Sequence, residues 1–121
     1  MCEEEDRETA RQFMVMGEVG RNYCDEQRLT MTENTDQVIL TMISCSAKDK
    51  SMYVVINTGE MVICETDCQN EDMMNFYNTN FVFDREGTLI AKYWKQNLFM
   101  EPVYVAPKEH VFTYFETDFG V

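Results

Sequence analysis

Apolar positions recur at helical spacing most clearly between Val38 and Ala47, where Val38/Ile39, Met42/Ile43 and Ala47 would share one side of a helix. Thr35 or Asp36 stands where an N-cap belongs. Lys48 and Lys50 follow, where cations complement the exposed carbonyls of a helix end. A helix is therefore predicted over about 36–49. Met52-Tyr53-Val54-Val55-Ile56 comes next, nearly unbroken in hydrophobicity and bounded by Asn57-Thr58-Gly59. It reads as a strand buried on both faces. Residues 61–74, with two cysteines, several acids and Met73-Met74, read as a loop or hairpin excursion.

The best-defined unit is a hairpin. Asn75 to Phe83 forms one strand, Asp84-Arg85-Glu86-Gly87 the turn, and Thr88 to Trp94 the return. Gly87 supplies the positive φ that such turns require. A last strand is expected from His110 to Phe115. Before residue 34 the chain is irregular, with room for a helical turn or two between Glu8 and Met16. One helix, a buried strand, a long hairpin and a further strand make a mixed α/β pattern. It holds too few helices to cover both faces of a four- or five-stranded sheet, so the elements form one side of something larger.

Composition narrows the function. The 121 residues carry 22 acidic against 10 basic side chains, a net charge of −12, which repels phosphate backbones and argues against nucleic-acid partners. Much of that charge is local: Glu3, Glu4, Glu5, Asp6 and Glu8 mark residues 1–21 as a solvated, flexible leader ahead of a domain at 22–121. No apolar run approaches the roughly 20 residues of a membrane span, and Met1 leads into acid rather than a signal peptide. There is no Asn-x-Ser/Thr acceptor for an N-glycan.

The five cysteines leave the compartment open. Cys64 with Cys68, and Cys24 with Cys45, are candidate disulfides that leave Cys2 over; reduced thiols fit the same count. A zinc site at Cys64/Cys68 lacks partners, because His110 is the lone histidine and no second cysteine pair completes a tetrahedron. A Cys–His dyad through His110 has no local support. Met73-Met74 reads as core filler rather than a copper site.

The strand end Lys92-Tyr93-Trp94-Lys95-Gln96-Asn97-Leu98-Phe99 carries the candidate chemistry. Alternation puts Tyr93 and Lys95 on one face, Lys92 and Trp94 on the other. A lysine among aromatic rings is either a poised ammonium or a snorkelling surface cation. Residues Tyr77 to Phe99 resemble the central hairpin of the biotinidase/vanin branch of the carbon-nitrogen hydrolase (nitrilase) superfamily. There an asparagine-threonine pair opens a strand, a phenylalanine-aspartate turn follows, and a tyrosine-x-lysine-x-asparagine-leucine motif delivers the catalytic lysine. Ser44-Cys45-Ser46-Ala47-Lys48, Met52 to Asn57, Pro107-Lys108 and Phe115 to Gly120 extend the similarity over roughly 22–121.

The resemblance implies a partial α-β-β-α sandwich and hydrolysis of small non-peptide amides by a glutamate, a lysine and a cysteine, with no cofactor. Vanins cleave pantetheine, and biotinidase cleaves biotinyl amides. Lys95 matches the lysine that steadies the oxyanion, and Glu101 loosely matches a supporting acid. The family's cysteines near Cys64 and Cys68 are of structural kind. Its general base stands on a strand before the helix, and none of Glu3, Glu4, Glu5 or Glu8 follows such a strand. Its nucleophile lies beyond a phenylalanine-glycine pair, and here Val121 alone follows Phe119-Gly120. These residues alone are therefore expected not to catalyse. The resemblance also implies a secreted or membrane-anchored parent. The alternative is a non-catalytic relative that pairs, through sheet edges, with itself or with a full-length relative.

Overall fold

The computed structural model describes residues 4–12, 14–27, 35–66, 68 and 70–121. In chain order its elements are α1 (Glu4–Arg11), α2 (Tyr23–Gln27), α3 (Thr35–Lys50), β1 (Val54–Ile63), β2 (Met74–Phe83) and β3 (Leu89–Trp94). The strands form one antiparallel sheet in the order β1-β2-β3. Helix and sheet together are a partial α/β unit of the expected class. Cys2, Glu3 and the capping side chains of Thr35 and Asp36 lie outside what is described.

Helix α3 spans the expected residues, but its buried stripe is Leu40, Ile43, Ser44 and Ala47. That stripe follows i, i+3, i+4, i+7, and the polar Ser44 belongs to it because its hydroxyl is satisfied. Ser44 Oγ donates to Gly87 O at 2.5 Å and accepts the Cys24 amide at 3.0 Å. Val38, Ile39 and Met42, expected on the buried side, are exposed. Lys48 reaches Asp25 at 2.5 Å, fastening α3 to α2.

The β2–β3 turn forms as read, with Gly87 at φ +87°. A Cβ there would stand 2.5 Å from Ser44 O, so glycine is needed both for the backbone angle and for contact with α3. Facing residues give the register Phe83–Leu89 and Val82–Ala91, which leaves Ile90 as an extra residue in a bulge.

Three expectations are corrected. First, β1 runs on to Ile63 through Asn57-Thr58-Gly59, and it is not buried on both sides, since Val55 is 55% exposed. Gly59 marks a close approach rather than a stop: a Cβ there would meet Met14 Sδ at 2.3 Å and Tyr104 Oη at 2.9 Å. Second, His110 to Phe115 is no strand. Phe112 is 97% exposed, and the segment touches β3's end through Gln96, which bonds Val111 O and His110 Nδ1. Its β propensity finds no partner strand to pair with among the described residues. Third, the described residues before 34 include two helices, and the first is fastened to the body through Arg7. Arg7 is buried, donates to both Asp72 oxygens at 2.8–2.9 Å and to Met74 O, and lies over the Phe76 ring. Val15 is fully buried and pairs along the outer edge of β1, with Val15 N to Gly59 O at 2.9 Å. Among the described residues before 21, Arg7 and Val15 are thus packed against the sheet.

Facing residues in an antiparallel pair share a side of the sheet. On the α3 side lie Val54, Ile56, Phe81, Phe83 and Leu89, packed with Val15, Tyr23, Leu40 and Ala47. On the other side Met61, Phe76 and Met74 pack with Met14, Ala10, Val103 and Tyr104. Each side also carries one polar cluster. No described helix is long and apolar enough to cross a membrane.

Candidate functional site

Lys95 follows β3 directly, and its amide donates to Asn78 O at 2.8 Å, adding one rung to the ladder with β2. That rung holds the backbone on a sheet rather than a loop. The lysine side chain leaves on the side opposite α3, the side of Asn78 and Asn80. Residues 96–100 then turn back, with Met100 at φ +51°, and return Glu101 to the ammonium.

Glu101 and Lys95 meet at 2.7 Å between Oε2 and Nζ. The same oxygen accepts the Phe99 amide at 3.0 Å, and Oε1 accepts Asn78 Nδ2 at 2.5 Å. The Lys95 hydrogen bond, then the Phe99 amide, then Asn78 hold the Glu101 carboxyl down at about 2, from an ordinary 4.5. A carboxyl depressed on folding stabilises the fold above its unfolded pKa, and that stability is lost as pH falls through the folded value. Glu101→Gln should therefore flatten the acid side of the stability curve between about pH 4.5 and 2, read as urea midpoints against pH. An unchanged curve would mean the carboxyl is not held this way.

Lys95 keeps a 44% exposed side chain while Glu101 is 17% exposed. An ammonium has three protons, and Glu101 takes one. The other two are unclaimed by hydrogen bonds among the described residues, so they can meet an incoming carbonyl oxygen. A hollow of about 410 Å³ lies on this side of the sheet, bordered by Ala10, Asn57, Val103 and Tyr104. The larger groove, about 630 Å³, lies by Tyr77, Lys92, Trp94 and Val111, and neither Lys95 nor Glu101 lines either space.

The second polar cluster was not foreseen. Glu60 on β1 is 1% exposed and points to the α3 side. Its Oε2 accepts Lys92 Nζ at 2.7 Å, and its Oε1 accepts Trp94 Nε1 at 2.6 Å and Thr79 Oγ1 at 3.4 Å. Lys92 also donates to Gly17 O at 2.8 Å, and Trp94 stacks on Tyr77 at 3.9 Å. One carboxylate thus grips both residues that alternate with Tyr93 and Lys95. Part of the signal was present: continuing alternation past Gly59 puts Glu60 on the same face of β1 as Val54 and Ile56.

The four described cysteines are all bridged. Cys24 joins Cys45, tying α2 to α3, and Cys64 joins Cys68 after β1. None of them is a thiol poised for attack or for zinc, and no three metal-ligating side chains converge among the described residues. Met74 packs in the core as expected, whereas Met73 sits at φ +58° and is 52% exposed.

The chain is similar to known proteins. The family described as carbon-nitrogen hydrolase matches residues 2–121. Pantetheinase of Sus scrofa is 45% identical over 82 residues, which is 64% of this chain and 16% of that protein. Pantetheinase of Homo sapiens gives the same identity and coverage. Vanin-like protein 2 of Drosophila melanogaster is 39% identical over 87 residues, 68% of this chain and 16% of its own length. The chain therefore spans about 16% of the length of these curated relatives.

Proposed function

The chain belongs to the carbon-nitrogen hydrolase family, and from that premise we propose that it is the lysine-bearing part of a vanin-type amidase that cleaves small non-peptide amides such as pantetheine. The observation that supports this most is the Lys95 ammonium, anchored by Glu101 at a strand end with protons to spare. In this reading a cysteine thiolate and a general base from outside these 121 residues act on the amide. The thiolate attacks the carbonyl carbon, and the carbonyl oxygen gains the electron pair. Lys95 donates to that oxygen as its charge grows. When the tetrahedral species collapses, the amine leaves with a proton from the base. Water then attacks the thioester, and the acid departs.

Glu101 has the supporting part. Its pinned carboxylate fixes the direction of the ammonium, so little reorganisation is left for the transition state. The similarity to pantetheinases of pig and man favours pantetheine over other amides. A secreted or surface-anchored setting fits the two disulfides, which persist best in an oxidising compartment.

The test uses the protein as its source makes it. It is purified, weighed by intact-mass spectrometry, and incubated with pantetheine while pantothenate and cysteamine are quantified. The reading expects equal release of both products, abolished by a thiol-alkylating reagent. A purified species of 14.3 kDa that releases neither product would overturn it, and would turn attention to the pairing role.

A further inference from the structure

We propose that Asn57 and Asn78 are positioning residues for Lys95, with Asn57 setting the orientation of the Asn78 amide and Asn78 in turn holding Glu101. The proposal rests on the amidase reading and adds two residues that the lysine motif does not contain.

The geometry is a string of donors across three elements. Asn57 on β1 donates from Nδ2 to Asn78 Oδ1 at 2.7 Å and to Asn80 Oδ1 at 2.9 Å, with a weaker reach to Thr79 O at 3.3 Å. Asn78 on β2 donates from Nδ2 to Glu101 Oε1 at 2.5 Å. Glu101 Oε2 accepts Lys95 Nζ at 2.7 Å. Asn57 faces Asn80 in the strand register, so all these side chains share one side of the sheet.

Chemistry gives the string a direction. An ionised carboxylate only accepts, so Asn78 must turn its NH₂ toward Glu101. Its oxygen must then face Asn57, which needs a donor there. A half-turn of the Asn78 amide would set its oxygen against Glu101 and its NH₂ against the Asn57 NH₂, two losses at once. Asn57 makes that half-turn costly although it touches neither Glu101 nor Lys95. Without it, Asn78 samples both orientations, the carboxylate loses a donor part of the time, and the ammonium direction loosens. Backbone closeness adds to the coupling, because the Lys95 amide bonds the Asn78 carbonyl itself.

The test reads Glu101 and needs no turnover. Its carboxyl carbon is followed by nuclear magnetic resonance from pH 6 down to about 2 in the wild-type chain, Asn57→Leu, Asn78→Leu and the double variant. Asn57→Leu adds no charge and lies at an exposed position. It should raise the Glu101 midpoint by roughly half to one pH unit, and Asn78→Leu by more. In the Asn78→Leu background the Asn57 change should add nothing, as expected for action through Asn78. An unmoved midpoint in Asn57→Leu, or a shift that persists undiminished in the double variant, would overturn the proposal. Should Asn78→Leu fail to fold, the wild-type Asn78 side-chain NH₂ signals decide. They follow the Glu101 titration if the bond is present; signals that stay still would sink the idea. Hydrolysis plays no part in these readouts, so a failed amidase assay and a failed asparagine string remain separate results.

Discussion

On the proposed amidase reading, replacing Lys95 with alanine is expected to lower kcat by about 10²–10³-fold while leaving KM for pantetheine within a few-fold. The split follows from where the ammonium acts. In the ground state it meets a neutral carbonyl, whose oxygen is a modest acceptor. In the transition state the same oxygen carries charge, so the lost interaction belongs mostly to that state. Lys95→Arg is expected to recover little, because a bulkier planar fork cannot place one proton where the compact ammonium stood. The fold should survive: the side chain is 44% exposed, and the β3 rung uses the backbone. Retained turnover in Lys95→Ala, with an unchanged spectrum of the folded protein, would remove Lys95 from the reaction.

Glu60→Ala is expected to cost stability instead, about 3–5 kcal/mol, the range for stranding one half of a buried pair. The alanine leaves Trp94 Nε1 without its acceptor and Lys92 without its counter-charge, while Thr79 Oγ1 keeps Tyr77 O at 3.3 Å. Lys92 is 22% exposed and keeps Gly17 O, which draws the figure toward the lower end. Glu60→Gln keeps an oxygen for Trp94 and should cost less, about 1–3 kcal/mol. The double change Glu60→Met with Lys92→Met should cost less than its two parts added, since no charge is then left stranded. Urea unfolding of the wild type, Glu60→Ala, Glu60→Gln, the two single methionine variants and their double measures all of this. A loss under 1 kcal/mol in Glu60→Ala would mean that the cluster is wetter than its 1% exposure implies.

What the sequence disclosed and what it hid divide along a physical line. Helix α3, the β2–β3 hairpin and the opposed faces of Lys92 and Lys95 all follow from short-range rules: periodicity, alternation, and a turn glycine. Those rules act within a few residues, and they placed the elements, but the face α3 buries, Leu40, Ser44 and Ala47 rather than Val38, Ile39 and Met42, was set by packing against the rest of the chain. The misreadings concern partners far along the chain. Gly59 looked like a stop because the side chains that fill its missing Cβ come from Met14 and Tyr104. Closing the strand there hid Glu60, whose three donors come from β2 and β3. Val15 gave no local sign that it would pair with β1. His110 to Phe115 erred the other way, with the composition of a strand and no neighbour to ladder with among the described residues. Within the candidate site, the motif around Lys95 was legible and Glu101 was a loose match. Asn57 and Asn78 were invisible as a pair, because their relation exists only in the register of β1 on β2.

The spare residue at Ile90 decides which codon losses the hairpin can survive. Leu89 and Lys92 face the same side although their numbers differ by three, because the bulge absorbs Ile90. Deleting that codon would straighten β3, bring Ala91 directly after Leu89, and leave every later residue facing as it does now. Deleting Tyr93 would do the opposite. With Lys92 still opposite Phe81, Trp94 would fall opposite Asn80 and Lys95 opposite Thr79, and the lysine would swing to the side of Glu60. Lineages can thus gain or shed length beside the turn, whereas between Lys92 and Lys95 the reading of odd and even must stay fixed.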